Sequence, residues 1–588
     1  MKTVSNYDKY PYIRVSDRSA DCLTGWQAVT EEIDRKVKQL NRPVVTVVVE
    51  CYQGVHEKEI VAALAERFPG SRAILSREYM RSADEINAFF HPDITDDELF
   101  GYLTRHTVER FFDPWQTAGV RARIRAQQQG VAIVVGTGAA YLWPDADILV
   151  YADMARREIQ QRFRRNEVSN TGVKNETERA SLQYKRAFFV DWRICDRVKK
   201  SLMNRWDYVL DTNCPGQPRM ITREQFGEGL SAAVRRPFRV VPFFDPGPWG
   251  GQWLKEVCDL NRDAPNFAWG FDCVPEENSL LFGFGDARFE LPANDLVFAR
   301  PEELLGVPVY GRFGDEFPIR FDFLDTMQGG NLSLQVHPLT EYMQEKFGLH
   351  YTQDESYYLL EAGDGACVYL GLKDGIVPEE MTGCLREAQK TGGTFDAERF
   401  VGKYPVGKHD HVLIPAGTVH CSGANSVVLE ISATPFLFTF KLWDWGRPGL
   451  DGRPRPINIS HGARVIQWNR TEAWVRRELL NRVEKVAEGD GWTEERTGLH
   501  EREFIETRRH RFTRPVTHRT DGSVNVLNLV EGREAVVESP GQAFEPFVVH
   551  YAETFIVPAA VGEYTIRPCG EPEGQECVTV KAFVRHHA

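Results

Sequence analysis

The chain has 588 residues, a formal net charge of −13 and a composition that is 42% hydrophobic and 26% charged. This length exceeds what one hydrophobic core serves, so we expect about two to four domains. The acidic balance argues against a general nucleic-acid-binding protein, because such a protein needs basic surface to displace counterions. No apolar stretch is long enough to span a bilayer, and the 11 scattered cysteines contain no C-x-x-C pair. We therefore expect a cytoplasmic protein without a membrane segment or a disulfide framework.

The first predicted domain is an α/β domain over residues 1–240. Residues 44–50 are a nearly continuous β-branched run, which is typical of a strand buried on both faces, and a helical pattern follows over residues 58–68. Two more strand-like runs cover residues 130–136 and 147–151. Strands that alternate with helices predict a parallel sheet.

This order of elements resembles the P-loop kinases, and the Arg-rich segment after residue 151 resembles the lid region of uridine-kinase-like proteins. The phosphate-binding residues of that fold are absent, because Glu50, Val55, His56 and Glu57 stand where the motif has two glycines, a lysine and a hydroxyl. Two carboxylates at this place would repel a triphosphate. We interpret the domain as a degenerate kinase-like fold with a structural, assembly or regulatory role, which does not transfer phosphate from ATP.

Three arginines of the Arg-rich segment, Arg162, Arg164 and Arg165, could bind another anion. We favour a solvated helix face for them instead. Further along, residues 279–323 show short alternating strands with turn signals, which predict part of an antiparallel barrel. Residues 378–391 and the charged segment 470–486 have helical patterns.

The motifs that carry chemistry follow in the middle of the chain. Gln335 and His337 are two residues apart in L-S-L-Q-V-H-P, so on a strand the amide and the imidazole share one face. Glu355 opens the strand-like run E-S-Y-Y-L-L, and His420 ends P-A-G-T-V-H. A single strand histidine is usually a packed core residue. The ordered set of two imidazoles, a carboxylate and an amide predicts one metal ion, with Zn²⁺ well suited and positions left for water or substrate.

These motifs resemble the two halves of a cupin barrel, and in more detail the class I mannose-6-phosphate isomerases. W-G-G and F-P-I upstream, then V-L-E-I, W-D-W-G-R and G-R-P-R-P-I-N-I downstream, stand in the order of that family over about residues 249–470. The resemblance implies an all-β, two-cupin (jelly-roll) isomerase region with helical insertions. It divides into a catalytic cupin domain over residues 241–503 and a C-terminal cupin domain over residues 504–588. His550 and Glu553 are too few ligands for a metal in the latter.

The resemblance further implies a zinc-dependent enzyme that interconverts mannose 6-phosphate and fructose 6-phosphate through a cis-enediol. Ser333 would contact the phosphate, although an ordinary strand serine explains it equally well. Glu430 is a candidate general acid/base. Lys441 or Arg447 would supply the cation that stabilises the enediol oxygens. A homo-oligomer is compatible with the resemblance, and the sequence leaves the oligomeric state open.

Three positions depart from the family pattern. Gln353 and Asp322 stand where a lysine is common, and Lys441 stands where the family has an arginine. Lysine keeps the charge of arginine but loses its planar fork. Two alternatives therefore stay open, an isomerase of another sugar phosphate and a non-catalytic, metal-binding regulatory cupin protein.

Overall fold

The computed structural model describes residues 5–435, 437–498, 500, 502–570 and 575–585. These residues form a seven-stranded sheet in an N-terminal α/β domain, a small three-stranded sheet and two pairs of antiparallel sheets. The second pair follows the first along the chain. The protein is therefore multidomain and rich in β-sheet. Among the described residues, no helix is both long enough and apolar enough to cross a membrane.

The N-terminal sheet has seven strands, and its five strands from Tyr208–Asp211 to Ala73–Leu75 run parallel. In spatial order the strands are Leu23–Thr24, Arg219–Thr222, Tyr208–Asp211, Ile148–Asp153, Val44–Cys51, Gly130–Gly136 and Ala73–Leu75. Val47 and Val48 point to opposite faces and are both fully buried, so both faces of the sheet are covered. The predicted buried strand and parallel sheet are confirmed. The likeness to kinases stays a prediction.

Helices connect and cover these strands. They are Trp26–Leu40, Glu57–Arg67, Ala83–Ile94, Pro114–Arg125, Ala139–Leu142, Arg156–Arg164, Ala180–Arg186, Trp192–Leu202 and Arg223–Ala233, with a π-helical turn at Ala187–Asp191. Glu50 at the end of the central strand accepts hydrogen bonds from the backbone N–H groups of Gly138 (2.6 Å) and Ala140 (2.7 Å). Burial raises the pKa of Glu50 to about 7, and these N–H groups oppose the rise. A carboxylate of the protein thus occupies backbone donors at the start of a helix.

One of the three arginines of the Arg-rich segment differs from the prediction. Arg162 is completely buried, and its guanidinium donates to the carbonyl oxygens of Gly54 and Thr212, both at 2.8 Å. The predicted solvated face is therefore wrong for Arg162, because this side chain supports the loop after the central strand. Arg164 and Arg165 are exposed, as predicted, and form ion pairs with acidic neighbours.

The small sheet corrects two predictions. Ile13–Ser16 pairs in parallel with Ser279–Phe284, which pairs in turn with Ala287–Pro292. Residues 279–292 are thus outside the barrels, and the helices Asn294–Ala299, Pro301–Leu305 and Val307–Phe313 follow them. The N-terminal segment also leaves its own predicted domain, because the backbone N–H of Asp8 donates to Glu553 at 2.6 Å.

The first barrel is built from a six-stranded and a five-stranded antiparallel sheet. The six strands, in spatial order, are His411–Ile414, Glu355–Ala362, Ser426–Ala433, Ile319–Asp325, Trp269–Cys273 and Phe243–Asp245. The five strands are Val401–Pro405, Cys367–Leu372, His420–Ser422, Leu334–Val336 and Phe440–Trp443. The helices of this region are Trp253–Val257, Thr340–Phe347, Pro378–Thr391, Ala397–Phe400, Ile459–Val465 and Glu472–Glu478. The helix predicted over residues 378–391 is confirmed, whereas that over residues 470–486 is reduced to seven residues.

The second barrel has sheets of six and four strands. The six strands, in spatial order, are Glu484–Gly489, Trp492–Arg496, Ile505–Phe512, Cys577–Val584, Asn525–Glu531 and Thr554–Val557. The four strands are Val516–Arg519, Glu563–Cys569, Glu534–Glu538 and Phe547–His550. Because Trp492–Arg496 pairs with Ile505–Phe512, the sheet begins before the predicted boundary at residue 504.

A buried aromatic cluster joins the N-terminal domain to the first barrel. The ring of Phe100 lies 5.9 Å from that of Phe438 and 5.2 Å from that of Phe440, measured between centroids. Phe189, in the π-helical turn, lies 6.0 Å from Phe438. The backbone N–H of Leu103 donates to the carbonyl of Phe347 at 2.9 Å. The two domains therefore share a hydrophobic contact behind the barrel.

Candidate functional site

Strand pairing brings five of the predicted site residues into one region of the first barrel. Gln335 pairs with His420 on one side and with Lys441 on the other, so the three side chains share one sheet face. Glu355 comes from the opposite sheet. Its carboxylate oxygens lie 2.7 Å from His420 Nε2 and 3.0 Å from His337 Nε2. The Gln335 amide nitrogen lies 3.2 Å from His420 Nε2.

The four side chains fit a divalent cation. His337, Glu355 and His420 each offer one ligand atom, and these atoms all lie within 4.8 Å of one another. Glu355 Oε1 and His337 Nε2 are buried, and their short contacts with the neighbouring ligand atoms are not hydrogen bonds, so an ion between them would satisfy both. Gln335 would add its amide oxygen after a 180° turn of the amide group, a choice that the hydrogen-bond network decides. Two imidazole nitrogens and two oxygens suit a borderline cation such as Zn²⁺.

The protonation states agree with a metal site. Burial alone would raise the pKa of Glu355, but His337 and His420 hold it well below its usual range. The carboxylate is thus ionised, as a metal ligand must be. His337 Nδ1 lies 3.2 Å from the carbonyl of Phe438, and His420 Nδ1 lies 2.9 Å from the carbonyl of Thr418. Each carbonyl fixes the proton on Nδ1 and leaves Nε2 as the ligand atom.

Hydrogen bonds from Arg470 stabilise the turn before His420. Arg470 is buried, and its Nη1 donates to the carbonyl oxygens of Pro415 and Ala416, both at 2.7 Å. Gly417 has φ +87°, and a Cβ there would meet the Gln467 side chain at 2.7 Å. Only glycine fits this conformation and this space, which explains the P-A-G pattern.

Beside the candidate metal ligands lies a group of three cations around one carboxylate, which we call the cation cluster: Lys441, Asp444, Arg447 and Arg455. Asp444 accepts from Arg447 and from Arg455, both at 2.8 Å. Ser333 donates to Asp444 at 2.8 Å and accepts from Arg455 at 3.0 Å. The predicted substrate residue Ser333 thus stands between the metal ligands and the two guanidinium groups.

Lys441 differs from the two arginines. Among the described residues its ammonium has no hydrogen-bond or ion-pair partner. Burial lowers the pKa of Lys441 to about 8, and Arg455 adds to the effect. The cluster has three cations against one carboxylate, so two positive charges are left uncompensated when Lys441 is protonated. This charge matches a phosphate dianion.

Glu430 lies on the strand that pairs with the strand of Glu355. It forms an ion pair with the buried Arg320 and accepts from Ser432 at 3.0 Å and from Gln353 at 3.2 Å. Gln353 also donates to the metal-site carboxylate of Glu355 at 2.9 Å. These contacts hold the carboxylate in one orientation, so the arrangement favours a positioning role for Glu430.

Asp322, which stands where the family commonly has a lysine, has a cationic neighbour on the same strand face. Arg320 Nε lies 3.0 Å from Asp322 Oδ1, and burial raises the pKa of Asp322 to about 6 while Arg320 opposes the rise. The barrel interior therefore still holds a cation, two residues earlier than the family lysine. Sequence reasoning missed Arg320, and it also missed Arg455, although Arg455 stands in G-R-P-R-P-I-N-I.

Comparisons with known proteins divide the chain in two. Residues 25–235 match the family described as "Domain of unknown function (DUF8485)". A mannose-6-phosphate isomerase from Streptococcus mutans is 26% identical over 233 residues, which are 39% of this chain and 68% of the relative. A probable mannose-6-phosphate isomerase, GmuF, from Bacillus subtilis is 26% identical over 243 residues, which are 40% of this chain and 69% of the relative. The chain is homologous to mannose-6-phosphate isomerases over about 40% of its length.

Two solved structures extend over more of the chain. A mannose 6-phosphate isomerase from Bacillus subtilis covers 59% of this chain and 99% of its own, with 17% identity and a TM-score of 0.48. A phosphomannose isomerase variant from Salmonella typhimurium covers 59% and 99%, with 14% identity and a TM-score of 0.45.

Proposed function

We propose that the protein is a zinc-dependent isomerase that interconverts mannose 6-phosphate and fructose 6-phosphate. The observation that carries the proposal is the placement of His420, Gln335 and Lys441 side by side on three paired strands, with Glu355 opposite. This places the candidate metal ligands next to the cation cluster. The relatives that match over about 40% of the chain support the same reaction.

The reaction moves a proton between C1 and C2 of the sugar, and negative charge develops on O1 and O2 of the enediol. A bound Zn²⁺ supplies Lewis-acid polarisation of those oxygens. Gln335, His337, Glu355 and His420 would hold it. Lys441 supplies a second positive charge on the same strand face, in a partly buried place where water screens this charge less than at the surface.

The remaining cluster residues bind the other end of the substrate. Arg447 and Arg455 are held in fixed orientation by Asp444, so they present a preorganised pair of guanidinium groups. Guanidinium groups match phosphate oxygens in geometry as well as in charge. Ser333, which is hydrogen-bonded to Arg455, adds a hydroxyl to the same phosphate site.

The test is an assay of the full-length protein on mannose 6-phosphate with and without a chelator. Chelation should remove the activity, and zinc should restore it. A zinc-loaded protein that does not isomerise mannose 6-phosphate would contradict the substrate assignment. The same assay on other aldose phosphates distinguishes an isomerase of altered specificity, which Gln353 favours because its neutral amide contacts Glu355 and Glu430 where a lysine is common. Metal binding without turnover of any of these sugars would support the regulatory alternative.

A further inference from the structure

A large cleft opens at the carboxyl edge of the N-terminal sheet. Its volume is about 1890 Å³, well above the roughly 300–1,000 Å³ of typical ligand pockets. The loop over residues 52–58, which follows the strand Val44–Cys51, forms one part of its lining, and Thr137, which follows Gly130–Gly136, forms another. The remaining walls come from residues 77–87, 94–98 and 166–186. None of these residues belongs to the barrel site.

The topology gives this cleft a particular position. The chain passes from Val44–Cys51 to Ala73–Leu75, which lies beyond Gly130–Gly136. It then passes from Gly130–Gly136 to Ile148–Asp153, on the other side of Val44–Cys51. The two central strands therefore send their crossovers in opposite directions. Open α/β sheets bind their ligands at such a switch point, outside the carboxyl ends of the strands.

The floor of the cleft is unsuited to a nucleoside triphosphate. Glu57, at the start of the helix after the central strand, lies 3.3 Å from Arg77, and burial raises the pKa of this carboxyl. Glu50 already occupies the backbone donors of Gly138 and Ala140. Cationic groups that are free for a ligand lie instead on the walls.

Two arginines line the walls of the cleft, and Arg186 has unused donors. Arg186 is only 7% exposed and gives one N–H to Asn87 at 2.7 Å, but its Nε and Nη2 have no hydrogen-bond partner among the described residues. The buried hydroxyl of Thr171 is also unpaired. Arg81 lines the same cleft and is partly buried, and its charge acts on the exposed Glu85. Buried donors without acceptors are costly, so those of Arg186 and Thr171 indicate acceptor oxygens that arrive from outside.

Acidic residues also line the cleft, but many of them have partners. Glu98 pairs with Arg179 at 2.9 Å, and Asp97 lies 3.2 Å from His461 and accepts from two backbone N–H groups. Glu78 and Asp84 are exposed.

Arg186 directly precedes the π-helical turn Ala187–Asp191, a backbone feature that is frequent at functional sites.

We propose that this cleft is a second ligand site of the protein, which binds a phosphorylated small molecule through Arg81 and Arg186. No phosphoryl transfer is involved, because the residues that would hold a triphosphate are absent. The site is independent of the isomerase reaction proposed above.

The experiment measures amide hydrogen exchange of the full-length, zinc-loaded protein with inorganic phosphate as the probe, against chloride at equal ionic strength. Phosphate should slow exchange in residues 77–87 and 166–186. In Arg81→Met and in Arg186→Met, the phosphate concentration that gives half of the maximal protection should rise about 10- to 100-fold. This is the effect expected for the loss of one charged hydrogen-bonding group. Protection of the barrel segment 441–455 should be unchanged in both variants.

Arg455→Met is the matched control, because it should remove protection in the barrel and keep that in the cleft. If Arg186→Met unfolds, the more exposed Arg81→Met carries the test, with circular dichroism as the check on folding. Phosphate protection that is confined to the barrel, or that persists in the Arg81→Met variant, would overturn the proposal.

Discussion

Each barrel buries a pair of neighbouring histidines, yet only in the first does a carboxylate lie between the two imidazoles. In the first barrel, Glu355 lies within 3.0 Å of both His337 and His420. In the second, the rings of His510 and His518 lie 4.4 Å apart, and His518 stacks on Tyr564 at 5.1 Å. Both ring nitrogens of His518 lack a hydrogen-bond partner among the described residues.

The charges around the second pair explain the difference. Lys581 is buried in the same barrel, and its charge helps to lower the pKa values of His510 and His518, after burial itself. Glu494 lies 3.3 Å from His510 but also pairs with Arg508 at 2.9 Å. A cation near two imidazoles repels a metal ion, whereas a carboxylate between them attracts one. The comparison teaches that the position of the carboxylate, and not the number of histidines, decides where a metal can bind.

The largest expected effect comes from exchanging one histidine in each barrel. His420→Ala should lose zinc and reduce isomerase activity by more than about 100-fold, because removing a ligand exceeds the cost of losing an outer-shell contact. His518→Ala should retain full zinc. Elemental analysis together with the isomerase assay measures both. Full zinc occupancy in His420→Ala would show that His420 is not a metal ligand, and the difference drawn between the two barrels would then be wrong.

The next effect concerns the cations beside the metal ligands. Lys441→Met should lower kcat about 10²-fold, the scale for losing one preorganised donor to developing charge. Zinc content and KM should change little, because this interaction belongs mainly to the transition state. Arg455→Met should instead raise KM, since Arg455 is assigned to the phosphate. If Arg447→Met lowers kcat more than Lys441→Met does, Arg447 is the catalytic cation and Lys441 is structural.

A smaller effect is expected from the lysine of the second barrel. Burial lowers the pKa of Lys581 from 10.5 to about 8, so the folded state disfavours its charge. Below about pH 8, Lys581 is protonated in both the folded and the unfolded protein. Between about pH 8 and pH 10.5 it is protonated only in the unfolded chain. The free energy of unfolding should therefore rise with pH in this window. Lys581→Met should remove that rise and stabilise the barrel by about 1–3 kcal/mol at pH 7. Urea unfolding at several pH values measures this, and a variant with the unchanged pH slope would exclude Lys581 as its source.

The smallest effect is expected at His550, which sequence reasoning had weighed as a ligand. His550 Nδ1 lies 3.0 Å from Glu553, which also pairs with Arg239 at 2.7 Å, at the contact with the N-terminal segment. His550→Ala should therefore leave zinc content unchanged and cost less than about 1 kcal/mol of stability, as for other partly exposed ion pairs. A loss of zinc in this variant would place a metal ligand outside the first barrel.

The local part of the site could be predicted from the sequence, because its signals lie within a few residues. The alternation in L-S-L-Q-V-H-P puts Ser333, Gln335 and His337 on one face. The helix at Pro378–Thr391 is likewise a local pattern. These features depend on backbone period alone.

The rest depends on pairing between distant segments. That Lys441 lies beside Gln335 follows from a register that shifts by one residue between Leu334 and Gln335, which no local pattern reveals. Arg455 reaches Ser333 across 122 residues of chain. The edge pairing of Ile13–Ser16 with Ser279–Phe284 is equally remote, and this is why residues 279–292 resemble barrel strands but join another sheet.

The aromatic contact behind the first barrel bears on how this protein could be cut or transplanted. Phe438 supports the ligand His337 through its carbonyl oxygen, while its ring packs on Phe100 and Phe189 of the N-terminal domain. In a fragment that begins at residue 241 that ring would keep its contact with Phe347 but lose those with Phe100 and Phe189, and the carbonyl would be less firmly held. The first barrel therefore depends on the N-terminal domain for part of its packing. A protein that contains the barrel without this domain would need other apolar residues to cover Phe438.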